Sequence, residues 1–166
     1  MTLTQNRSRC AHIPILAVDS PILTGQSAVV ADSTNYWLTA YAEPPLDRLE
    51  RLPDGLVFAW LNREVPSIGS KVDWTRFTAS RRHWFVSSAE ELSAVVHEFL
   101  AALPAADHID HGGDALSPFD VRIGGAEFAS VIPVLLAIPE HHYFLATNRS
   151  WVAAFSMEGD VDLAFL

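Results

Sequence analysis

The segment PEHHYFLATNRSWVAAFSMEGDVDLAFL, residues 139–166, holds two aromatic-rich runs, 143–146 and 151–156, separated by Thr147, Asn148, Arg149 and Ser150. Polar, turn-forming residues between two such runs predict an antiparallel hairpin. Glu158, Gly159 and Asp160 then form a second turn, and Val161, Leu163 and Phe165 alternate with Asp162 and Ala164. A period of two buries one face of a strand and wets the other. The segment therefore reads as a three-strand meander.

Upstream, Ser88 precedes Glu91 by three positions, the spacing at which a Ser hydroxyl and a Glu side chain satisfy the first amides of a helix reciprocally. Leu92, Val95, Val96, Phe99, Leu100 and Leu103 follow at steps of three and four, and Pro104 ends the pattern. Such a stripe predicts a long amphipathic helix lying on the sheet that the meander completes. The expected fold is α+β: one domain over residues 1–166, mainly antiparallel, with a C-terminal three-strand meander and one long helix packed on it.

Other segments are read more coarsely. Residues 13–18, 27–31 and 36–41 suit strands, as do 83–86 and 119–123, and a helical turn is expected at 46–52 after Pro44-Pro45. The run at 56–61, Leu-Val-Phe-Ala-Trp-Leu, is apolar at every position and reads as an interior strand. Residues 105–118 are polar and glycine-containing and read as a loop. Within 126–138 a short helix should begin or break at Pro133, which lacks an amide donor.

The composition, 49% hydrophobic and 19% charged, is that of a folded chain and not a disordered one. Cys10 is the only cysteine, so no internal disulfide forms. Arg7 and Arg9 precede an apolar run at 11–18, but His12 and Pro14 interrupt it and no small-x-small site follows. The run is read as a first strand behind a frayed arm, residues 1–10, and the expected location is cytoplasmic. No apolar block approaches the roughly 18 residues of a membrane span.

The net charge of -9 is unevenly spread. Residues 1–82 carry eight acidic and nine basic side chains, whereas 83–166 carry twelve acidic ones against Arg122 and Arg149. Such a field repels nucleic acid and anionic membrane and attracts basic surfaces. Lys71, Arg76, Arg81 and Arg82 beside Trp74 and Phe77 are too thin a patch to reverse that expectation.

Signatures of catalysis are missing: there is no Gly-x-Ser-x-Gly elbow, no phosphate loop and no Gly-x-Gly-x-x-Gly turn. Asp107, His108, Asp110, His111 and Asp114 offer metal-ligand chemistry, yet their spacing matches neither the helical zinc pair nor the calcium loop. No metal or other cofactor is expected; a metal-dependent hydrolase built on Asp107–Asp114 is the second reading, and a structural or oligomerising subunit the third. Glu140, His141 and His142 with Glu158 could form an acid/base constellation across the hairpin, and are explained more cheaply as polar residues at strand ends.

Pro139-Glu140-His141-His142-Tyr143-Phe144, Trp151, and Phe155-Ser156-Met157-Glu158-Gly159-Asp160 together resemble the closing segment of immunity proteins of bacterial polymorphic toxin systems, including those of contact-dependent inhibition. The resemblance is confined to this C-terminal segment. It implies a non-enzymatic inhibitor that holds a cognate toxin domain, and an acidic surface suits a basic target such as a nuclease. The expected surface draws on Asp107, Asp110, Asp114, Glu140, Glu158, Asp160 and Asp162, with Tyr143 or Trp151 as a buried anchor.

Overall fold

The computed structural model describes residues 38–68, 71–77 and 80–166. The strands expected at 13–18 and 27–31, the arm at 1–10 and part of the 36–41 segment lie outside these residues. Residues 38–40 are helical and not extended.

Nine strands appear in the described chain: β1 (Glu50–Arg51), β2 (Ser67–Ile68), β3 (Lys71–Val72), β4 (Arg81–Phe85), β5 (His108–Gly113), β6 (Val121–Gly124), β7 (His142–Ala146), β8 (Trp151–Phe155) and β9 (Asp160–Phe165). Besides the helical residues 38–40, three α-helices join them, α1 (Leu56–Glu64), α2 (Ala89–Ala102) and α3 (Phe128–Leu135), with 3-10 turns at Leu46–Arg48 and Trp74–Phe77. Seven strands form one sheet in the order β1-β6-β5-β7-β8-β9-β4, antiparallel throughout, while β2 and β3 make a separate small hairpin. The fold class is α+β, and β7, β8 and β9 are the C-terminal meander.

Both faces of the sheet are covered. On one, α2 contributes Val95, Val96 and Phe99 and α3 contributes Phe128, Val131, Ile132 and Leu135 against Ile109, Ile123, Phe144, Trp151, Phe155 and Leu163. On the other, Val57, Leu61 and Val65, at successive steps of four along and just beyond α1, pack on Leu145, Val152 and Ala164. Side chains alternate across each strand, so Tyr143 and Leu145 point to the α1 side and His142 and Phe144 to the α2/α3 side.

The long helix starts at its cap: the Glu91 amide donates to Ser88 Oγ at 3.2 Å, and the Glu91 carboxylate accepts from the Ser87 amide and hydroxyl. Those bonds, hydroxyl first, hold the Glu91 carboxyl below its ordinary range.

Three expectations need correction. The run at 56–61 is the helix α1, because a stretch apolar at every position shows neither period and its helical form is fixed from outside, by Asp120 at its N-terminus. The polar stretch at 105–118 contains β5, an interior strand whose Asp110 and His111 are buried with partners on neighbouring strands. Pro133 lies inside α3, neither starting nor ending it. No helix among the described residues is long and apolar enough to cross a membrane.

Candidate functional site

On the α1 side of the sheet, beyond the reach of that helix, β4, β7, β8 and β9 leave an open groove of about 550 Å³. Its floor includes Tyr143 and Ala154, and Trp74 stands at one wall. Asp73, Glu158, Asp160 and Asp162 line it against a single guanidinium, that of Arg81.

Register assembles this site. The pairing of β4 with β9 sets His83 opposite Asp162, and that of β8 with β9 sets Ala154 opposite Asp162 on its other side. Asp162, only 5% exposed, accepts from Arg81 Nε at 2.7 Å, and His83 Nδ1 lies 3.0 Å from the same oxygen. Its charge is therefore answered inside the protein. Asp160 differs: its side chain is 48% exposed and its nearest basic group is His83 Nε2 at 3.7 Å.

Glu158 sits in the turn between β8 and β9. Gly159, at φ 95, makes that turn possible, and a Cβ there would overlap the Val86 carbonyl of the neighbouring strand end. Asp160 donates its amide to Ser156 Oγ at 3.0 Å, and the Ser156 amide donates to the Asp160 carbonyl at 2.8 Å. His141 closes the groove at the same end. Its Nδ1 accepts from the Met157 amide at 3.2 Å and lies 3.6 Å from Glu158, which leaves the ring proton on Nε2, 3.9 Å from Asp114. Tyr143 is buried at 7% exposure, with Phe58 edge-on at 5.0 Å. Burial, then the carboxylates of Asp114 and Glu158, raise its hydroxyl above the ordinary range.

Of the residues expected to form an acidic surface, Tyr143, Glu158, Asp160 and Asp162 meet in this groove, and Asp114 borders it through His141. Four others are placed differently. Asp110 is 1% exposed and bound by Arg122 through Nε at 2.8 Å and Nη2 at 3.3 Å. Glu140, 2% exposed, is clasped by the amides of Ala115, Leu116 and Ser117 and by the Ser117 hydroxyl.

Trp151 is fully buried on the opposite, helix-covered face, against Phe99 and Phe128, so it is core and not an anchor. Asp107 precedes β5 while Asp114 follows it, so six strand residues, about 20 Å, separate them. The His and Asp side chains of 107–114 are divided between the two faces of the sheet, and among the described residues no three His, Cys, Asp or Glu side chains converge to hold a metal ion.

Asp73, Trp74, Arg81 and His83 belong to the groove but were not anticipated there from sequence, whereas His141 stands beside Glu158 across the hairpin, as the sequence allowed. Arg81 and His83 arrive only through the pairing of β4 with β9, across more than seventy residues, which no local pattern signals. Compared with protein-family models, with curated proteins and with solved structures, the chain matches none.

Proposed function

We propose that this protein is a non-enzymatic binding module that holds a cationic segment of a partner protein in the groove between β4, β7 and the β8–β9 turn, and that the partner is a toxin domain which it neutralises. The observation that carries the reading is the imbalance of that groove, where Asp73, Glu158 and Asp160 stand beside the Asp162–Arg81 pair, with the imidazoles of His83 and His141, over an aromatic floor. An arginine or lysine entering it gains the Asp160 and Glu158 carboxylates and the face of Tyr143 or Trp74. The toxin assignment adds the resemblance of residues 139–166 to immunity proteins.

Capture from cells of the source organism tests the reading. Wild type should retain one protein with a basic domain, and a Glu158→Lys/Asp160→Lys variant should lose it, while Asp107→Lys, at the far end of β5, should retain it. Co-expression of the captured domain should then be lethal except when wild type is present. Equal capture by wild type and the double variant contradicts the groove. Capture of a domain that is harmless alone contradicts the toxin assignment.

A further inference from the structure

A second cavity backs onto the acidic groove. It opens on the helix-covered side of the sheet, has a volume of about 340 Å³, and is walled by Leu92, Leu136, Ile138, Phe155, Met157 and Val161. Phe155, Ser156 and Glu158 line both cavities, so the β8–β9 turn is a shared partition between them. The two sides differ in chemistry.

The polar groups in the second cavity are already engaged. His142 Nδ1 bonds His111 Nε2 at 3.0 Å and its Nε2 donates to the Ile138 carbonyl at 2.9 Å, while Glu140 is held by the 115–117 segment. Water entering there meets few open partners, and an apolar group does better. Exposed apolar side chains flank the turn as well. Met157, which lines this cavity, is 62% exposed at the turn, and Phe85, on the groove-side face of β4 shared with Arg81 and His83, is 63% exposed with its ring 3.6 Å from the position a Cβ of Gly159 would take. Large apolar side chains this exposed, flanking a turn between two cavities, mark a contact surface.

We infer that the docking segment of the partner straddles the Ser156–Gly159 turn, placing a basic side chain in the acidic groove and a large apolar side chain in the second cavity. The occupant is a polypeptide carrying a cation and an aromatic or aliphatic residue close together. The inference rests on the proposed function for its cationic half. Its apolar half is independent of that reading, because a groove specific for charge alone has no use for the second cavity. A pocket filled by one bulky side chain and ringed by weaker contacts is how a few residues dominate an interface. The adjacent carboxylates supply orientation and a fast encounter.

The test uses isotope-labelled full chain and four peptides, acetyl-Arg-(Gly)n-Phe-amide with spacers of none to three glycines, each also made with Ala for Phe and with citrulline for Arg. Titration followed by nuclear magnetic resonance should show one spacer binding at least tenfold more tightly than both of its substituted forms, with shifts at Tyr143 and Asp160 and at Leu92 and Val161. Ala89→Phe, which fills the second cavity from an exposed position at the start of α2, should abolish the Phe advantage and leave the Arg advantage intact. Met157→Glu, in the exposed turn, should do the same without touching the core. An Ala peptide that binds as tightly as its Phe parent overturns this inference while leaving the cationic groove standing. A citrulline peptide that binds as tightly as its Arg parent overturns the groove itself. Failure of every peptide to bind overturns the inference.

Discussion

His111 and His142 stack on adjacent strands with ring centroids 5.3 Å apart, and His111 is completely buried with its Nδ1 unpaired among the described residues. Burial, then the neighbouring imidazole, pushes His111 well below its ordinary value of 6.5. Burial lowers His142 as well, against the Ile138 carbonyl and the carboxylates of Glu140 and Asp114, which raise it, and with His141 opposing protonation. The unfolded chain takes up these protons around pH 6.5 and the folded chain only at lower pH, so the stability tied to them is intact above pH 6.5 and falls as the pH drops below it. Denaturant unfolding should therefore show lower stability at pH 5 than at pH 7.5, with His111 contributing to the loss. His111→Leu should lose less between the two pH values than wild type, and an identical loss in the variant refutes the assignment.

Glu140 is the second residue whose burial has a measurable consequence. A Cβ on Gly113 would overlap the Glu140 carboxylate, so Gly113→Ala should displace it from its amides and cost about 2 kcal/mol. In a Glu140→Ala background the same glycine change should be nearly neutral. A double-mutant cycle with no coupling contradicts the clasp.

At the scale of elements, the parts legible in the sequence are those whose signals are local. Ser88 and Glu91 start α2 where the capping spacing places it, and the alternation of Val161, Asp162 and Leu163 makes a strand. Helix α1 and strand β5 were illegible because distant residues fix them. Asp120, sixty-three positions away, accepts the Val57 amide at 2.7 Å, and β5 hides its polar residues in pairs with Arg122 and His142. The two kinds of start should respond differently to mutation. Ser88→Ala removes an exposed cap and should cost about 1 kcal/mol. Asp120→Ala strips a buried acceptor from the first turn of α1 and should cost about 2 kcal/mol or more. Equal thermal shifts for the two variants speak against α1 depending on Asp120.

Across the whole molecule, the acidic excess of residues 83–166 does not form one continuous surface. Asp110 and Asp162 are answered by Arg122 and Arg81, Glu140 by backbone amides, and Asp107 stands at the far end of β5. Net charge and its division along the chain were legible, but the pairing of those charges depends on which strands neighbour one another, and that was not. Asp73, Glu158 and Asp160 gather around one groove, and Asp114 borders it through His141; this is where a partner is proposed to dock. Hydrogen exchange of the protein alone and in complex with its captured partner measures this most directly. The account predicts slowed exchange at the 156–159 turn and at residues 73–77, with residues 105–107 unchanged. Slowing confined to residues 105–107 or to the outer face of α2, with the turn exchanging as in the unbound protein, would contradict it.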